Sequence, residues 1–263
     1  MVAGARGERE TMAVQNHRAV NPTPFSEHAE EDAAYNQVAD KLFVMKVGEV
    51  VKVAVFGAAG IMGWEVVDDL LFRGHEVIAC VPDLDRCPPW GNGVEVVAGA
   101  VTDTAIVEAV VSRAQAVVNV LGPGREQEVP GPSLVLGTQL IVAAMAAHGV
   151  HRYVGHGSPA VRMCPLDQPT ARTRWRRRVT NCLHPRAYWV HSAMLETVTN
   201  SQLDWTIVRF IRARGGDARG LRYVGFFGHD DIGHSATEVD IARFTAAQVL
   251  ETAYIEEAPA VSN

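Results

Sequence analysis

The sequence predicts an α/β fold, a doubly wound parallel sheet with helices on both faces. Three observations carry this. Val50, Val51, Val53, Ala54, Val55 and Phe56 form a near-continuous apolar run, the pattern of a parallel strand buried on both faces. Gly57, Gly60 and Gly63 follow at once in the spacing G-x-x-G-x-x-G. Ile61, Val66, Val67, Leu70 and Leu71 then recur at helical spacing until Gly74, and residues 75–81 make a second apolar strand. Strand, glycine turn, helix and strand make one βαβ unit.

The elements follow in order. Residues 1–46 are a polar extension with Gly4, Gly7, Pro22 and Pro24, expected to be largely disordered. Within it, residues 27–44 read as a helix with Ser26 as N-cap and Glu27, Glu30, Glu31 and Asp32 in the first turn. Met45 lies just ahead of the first strand, and the extension reads as a dispensable tail. A single domain then spans 47–263. After the second strand comes a loop, PDLDRCPPWGNG. Residues 94–98 form a third strand, Thr102 and Asp103 offer helix caps, and 106–111 carry a helix. Residues 116–121 (AVVNVL) are a fourth strand, 134–148 a long apolar helix closed by Gly149, and 151–156 a fifth strand. Residues 187–201 read as a helix, 205–210 (WTIVRF) as a sixth strand, 223–227 as a short strand and 239–252 as a final helix. The steady alternation of strand and helix predicts that the strands run parallel.

Bulk properties narrow the function. The chain of 263 residues is 48% hydrophobic, enough for one sizeable α/β core. A net charge of −6 argues against nucleic acid. No apolar run is read as long enough to cross a bilayer, and the N-terminus lacks an apolar signal core. The four cysteines contain no C-x-x-C pair, which points to a reduced, cytoplasmic protein without a metal site. The expected partner is a small-molecule substrate, with no nucleic acid and no membrane, for a monomer or homodimer.

The glycine spacing has a chemical meaning. A pyrophosphate is favoured at a helix N-terminus, where unpaired N–H groups and the helix dipole meet an anion. Gly57 lets the chain turn sharply, Gly60 lets the backbone approach the phosphates, and Gly63 lets helix and strand pack closely. Ala59, Ile61 and Met62 between them are cofactor contacts on the same turn. The reading is a dinucleotide site.

Five stretches now resemble a known family: VFGAAGIMGWEVVDDLLFRGHEV, VEVVAGAVTD, AVVNVLGPG, LIVAAMAAHGVHRYV and LETVTNSQLDWTIVRF. Together they are similar to the atypical short-chain dehydrogenase/reductase superfamily, in its NmrA-like branch and the biliverdin reductase B (flavin reductase) type. The resemblance covers roughly residues 50–250 and implies a Rossmann-like fold binding NADP, with NAD as the alternative. Members that use NADP often begin the loop after the second strand with arginine, suited to a 2′-phosphate. Here that place holds Pro82 and Asp83, with Arg86 near enough to substitute; Asp83 argues for NAD. Asp103 matches an acid near the adenine or simply caps a helix. The resemblance places the backbone of Leu121 and Gly122 near the nicotinamide ribose.

The superfamily's usual proton machinery is a serine with Tyr-x-x-x-Lys. The matching positions here are Ser158, Tyr188 and Ser192, so the lysine is missing. A tyrosine with no cation beside it stays near its ordinary pKa of about 10. His191 falls where the biliverdin reductase B type has a histidine near its substrate, and is read as the proton donor, with reduction falling off above about pH 6.5–7. The arginine-rich run 171–178 around Trp175 reads as a solvated basic patch, or as a lid over an anionic or flat aromatic substrate. The segments 157–190 and 211–238 are assigned to the substrate site. The implied function is an NAD(P)H-dependent oxidoreductase acting by hydride transfer on a small carbonyl, enone, quinone-like or flavin-like substrate. The alternatives are a non-catalytic NAD(P)-binding redox sensor and a cofactor-using isomerase or epimerase.

Overall fold

A computed structural model describes residues 49–263 apart from 88, 92, 123–130, 160–166, 168–170, 172–174, 176–177, 180–181 and 183–184. The extension read at 1–46, its helix at 27–44 and most of the 171–178 run lie outside the described residues.

The first unit is β1 (Lys52–Phe56), α1 (Ile61–Phe72) and β2 (Glu76–Val81). β3 (Val94–Ala98), α2 (Thr104–Val111), β4 (Ala116–Asn119), α3 (Gly131–His148) and β5 (Arg152–Gly157) follow. α4 (Pro185–Thr199) leads to β6 (Asp204–Arg209), β7 (Ala213–Arg214), β8 (Tyr223–Gly225) and β9 (Ala236–Thr237). The chain ends on α5 (Glu238–Ala247) and β10 (Ala260–Ser262). Eight strands form one sheet in the order β3-β2-β1-β4-β5-β6-β10-β8, and β7 and β9 form a separate ladder.

The register explains the apolar runs. β1 is hydrogen-bonded to β2 on one side and β4 on the other, both parallel, so Val53, Ala54, Val55 and Phe56 are all buried. Alternate residues feed two cores. Val53, Val55, Val77 and Val208 pack with the inner faces of α1 and α5. Ala54, Phe56, Ile78, Val117, Tyr153 and Ile207 pack with α2, α3 and α4 on the other face. The wound, Rossmann-like architecture expected from the sequence is therefore the one observed.

Three details differ from the sequence reading. The strands are not all parallel: β8 pairs antiparallel with β10, while β10 lies parallel to β6. Strand direction at this edge is set by which neighbour offers free backbone groups, which no local pattern records. The last helix stops at Ala247 rather than 252: its end tightens, with the Val249 amide on Ala246 O, and the Gln248 carbonyl accepts from Arg152 Nε at 2.9 Å instead of from a further turn. Finally, α3 has 18 residues and a mean hydropathy of 1.3, long and apolar enough by length and composition to cross a membrane. It instead lies between α2 and α4 as a core helix, with Leu134, Ile141, Ala144 and Met145 buried.

Candidate active site at the strand ends

The glycine turn is built as its spacing requires. Gly57 has φ +87°, a conformation that a Cβ would strain. Its backbone is pressed against the end of β4: a Cβ there would lie 3.1 Å from Leu121 N. Gly63 is tighter still, with a Cβ at that position 2.0 Å from Gly57 O. Gly60 is the N-cap of α1, and a Cβ there would meet only Gly57 O at 3.4 Å. Ala59 and Met62 pack against the core beneath, whereas Ile61 is 67% exposed.

The other helix starts test whether this turn fits an anion. α2 is capped by Asp103, whose Oδ1 accepts from the Ala105 amide at 2.9 Å. α5 is capped by Thr237, with Glu238 and Asp240 in its first turn. α1 has a glycine cap, no side-chain cap bond and no acid in its first turn. Its N-terminal dipole and amides are left for an outside ligand, and a pyrophosphate is the group they suit. The residues present fit the phosphates of a dinucleotide.

The loops around this turn receive the remaining candidates. Asp83 caps a 3₁₀ turn at Leu84–Arg86 after β2, accepting from the Asp85 amide at 3.1 Å. Both carboxylates are exposed; the side chain of Arg86 lies outside the described residues. Asp103 is engaged as the α2 cap, so the capping alternative describes its side chain. Leu121 is oriented by Asn119, whose Oδ1 accepts the Leu121 N–H at 3.1 Å while its Nδ2 donates to Thr138 Oγ1 at 3.4 Å. Asn119 is almost fully buried and was passed over in the sequence reading. The signal was present as one amide inside the apolar run AVVNVL.

α4 brings His191 to the same place. A Cβ on Gly122 would lie 3.9 Å from His191 Cε1, so His191 faces the end of β4. Val190 and Met194 anchor the helix against Leu134, with Leu121 packed alongside. Tyr188 is half-buried one turn earlier, and Ser158 is half-buried just past β5. Ser192, at the position of the missing lysine, has a buried hydroxyl with no partner among the described residues. Burial pushes the His191 pKa below its ordinary value. The pocket thus shifts protonation of the ring to lower pH than the ordinary range near 6.5.

A second histidine joins it, one the sequence did not flag. His156, in β5, meets Phe210 edge to face at 5.4 Å and shares a 2.9 Å hydrogen bond between its Nε2 and Thr245 Oγ1. The Thr245 hydroxyl donates to Ile241 O, so its oxygen accepts and His156 carries its proton on Nε2. Burial, with His191 adding to it, holds His156 down to about 4. A second imidazole thus lies within electrostatic reach of His191.

Comparisons with known proteins agree with the fold. Structures of similar fold include the oxidoreductase ylbE of Lactococcus lactis, 18% identical, with TM-score 0.63 over 81% of this chain and 90% of that one. A short-chain dehydrogenase/reductase of Veillonella parvula in complex with NADP is 16% identical, with TM-score 0.64 over 81% of this chain and 94% of its own. ChuY, an anaerobillin reductase of Escherichia coli, is 16% identical, with TM-score 0.64 over 80% and 96%. At such identities the likeness speaks for the fold. The family model described as NAD(P)H-binding matches residues 57–252, from the first glycine of the turn to just beyond α5. The chain belongs to this NAD(P)H-binding family.

Proposed function

We propose that the protein is an NAD(P)H-dependent oxidoreductase that transfers hydride to a small carbonyl, enone, quinone-like or flavin-like substrate. The observation that carries the reading is the approach of His191 to Gly122, at the strand end where the uncapped α1 turn would direct the dinucleotide. Bound NAD(P)H supplies the hydride. Gly57, Gly60 and Gly63 shape the phosphate cradle, Asn119 fixes the Leu121 amide beside the ribose, and His191 exchanges a proton with the substrate oxygen. Because burial keeps His191 neutral, it serves at neutral pH as a base for oxidation. Its protonated fraction, and so reduction, grows on acidification. Tyr188 and Ser158 bind the substrate oxygen. In this reading NADP is the cofactor, with Arg86 as the 2′-phosphate partner; the exposed carboxylates of Asp83 and Asp85 favour NAD instead. Ser192 in the lysine position supports one other reading, a cytoplasmic redox sensor that binds the dinucleotide without turnover.

The test is titration with NADPH and NADH, followed by carbonyls and quinones with cofactor oxidation read at 340 nm. Tight dinucleotide binding with no turnover of any acceptor would favour the sensor. Asp83→Ser should move the ratio of dissociation constants toward NADP by about tenfold; an unchanged ratio would show that Asp83 does not read the ribose.

A further inference from the structure

Arg209 is the bulkiest side chain among the fully buried residues, at 1% exposure, and it ends β6. Trp205 and Ile207 on the same strand lie in the core under α3 and α4. By strand alternation Arg209 points to that face, the face of the helix that carries Tyr188 and His191. Each nitrogen of its guanidinium makes a hydrogen bond. Nη1 donates to Asp167 Oδ2 at 2.7 Å, Nη2 to Asp167 Oδ1 at 2.8 Å, and Nε to Ala258 O at 2.8 Å. The Phe227 ring covers it, with its centroid 4.9 Å from the central carbon.

This one side chain holds three separate stretches to the end of β6: Asp167 beyond β5, Phe227 beyond β8 and Ala258 ahead of β10. Arg209 pairs in register with Gly157, the residue before Ser158. A buried ion pair is an expensive way to fill a core, and apolar side chains of the same volume often stabilise as well. What a fork-to-fork pair adds is a fixed geometry. We propose that Arg209 is a positioning residue, which through Asp167 and Phe227 fixes the strand ends beside Ser158, on the substrate side of the site. The kinetic part of this inference rests on the oxidoreductase reading; the anchor itself does not.

The experiment compares wild type with Asp167→Asn, Asp167→Glu and Arg209→Lys in the full chain. Three quantities are read: amide hydrogen exchange by peptide, NADPH affinity by fluorescence, and KM and kcat for NADPH oxidation by a soluble benzoquinone. Asp167→Asn keeps the shape but removes the charge opposite Arg209. Exchange should rise at least tenfold in peptides carrying Ser158 and Phe227, with residues 52–72 unchanged. NADPH affinity should stay within twofold, while the quinone KM rises about tenfold and kcat falls less than threefold. Asp167→Glu, which keeps the carboxylate, should recover most of the KM. If Asp167→Asn does not fold, Arg209→Lys makes the same comparison by keeping the charge and losing the fork. Unchanged exchange and KM in a folded variant overturn the proposal. So does a loss of NADPH affinity as large as the rise in KM, or exchange raised across the whole sheet, since either would mean general loosening. If wild type turns over no acceptor, the oxidoreductase reading falls and the exchange pattern alone decides the anchor.

Discussion

The two ends of the sheet are held in different ways. On the cofactor side, the turn between β1 and α1 is closed by neighbours: the Gly60 amide bonds Gly57 O and the Trp64 amide bonds Gly60 O. On the substrate side, contacts reach across the chain. Arg209 and Asp167 are 42 residues apart, and Asn263 and Gly220 are 43 apart. Asp240 is the second knot on that side, accepting from Thr237, Asn263 and the Arg219 and Gly220 amides. Burial pushes its carboxyl up, but these hydrogen bonds outweigh burial and hold it below the ordinary range. A site of this kind separates a local, backbone-built cradle from a wall assembled by buried polar side chains. The cradle depends on the absence of side chains, the wall on their presence.

The largest expected effect tests the cradle. Gly63→Val would drive a Cβ into the Gly57 carbonyl and the Ala58 Cα, both backbone atoms that cannot step aside. We expect a loss of stability above about 4 kcal/mol, or no folded protein. A melting temperature within a few degrees of wild type would show that helix and turn can separate cheaply.

Gly60→Asp is the milder change at the same turn. A Cβ there meets open space except for one contact at 3.4 Å, so the fold should survive. The carboxylate would occupy the anion position and satisfy the α1 amides itself. Measurable dinucleotide binding should disappear while circular dichroism is retained; wild-type affinity would place the phosphates elsewhere.

On the strand ends nearer the wall, His156 links stability to pH. Its folded pKa lies below the value near 6.5 of an unfolded histidine, so the unfolded chain takes up the proton first. Its contribution is therefore full above pH 6.5 and is lost as pH falls toward 4, to a total on the order of 3 kcal/mol. His156→Gln, which keeps a donor for Thr245, should flatten this part of the stability curve between pH 6.5 and 4. Parallel curves for the two proteins would mean that His156 is not buried neutral.

His191→Ala should lower kcat by roughly 10²-fold with little change in dinucleotide affinity. Reduction by wild type should speed up as pH drops below 6.5, because burial lowers the pKa of the ring. A rate indifferent to both the substitution and pH would move proton exchange to Tyr188 or to solvent.

The cradle was legible in the sequence because each of its parts is a local rule. An apolar run of β-branched residues, a glycine where φ is positive, and an apolar helical repeat each announce themselves within a few residues. The resemblance of AVVNVLGPG and of the helix ahead of LDWTIVR singled out Leu121, Gly122 and His191 separately; the structure adds that Gly122 and His191 lie side by side. Asn119, His156 and Asp167 were not found. Each is a single polar residue whose role depends on a partner distant in the chain: Thr138, Thr245 and Arg209 respectively. β10 was missed for the same reason. Three residues near the chain end carry no periodicity, and only pairing with β6 and β8 makes them a strand.

By itself, then, the sequence determined the α/β class, the wound sheet, the position of the dinucleotide turn and the helix that faces it. These follow from backbone sterics and hydrophobic period, which act over one or two turns of chain. The tertiary structure alone decided that β8 runs against its neighbour and that burial lowers the pKa of His191. It also decided that Arg209 gathers Asp167, Ala258 and Phe227. Burial, ion pairing and edge pairing are properties of which surfaces meet, and the chain has no such surfaces until it has folded.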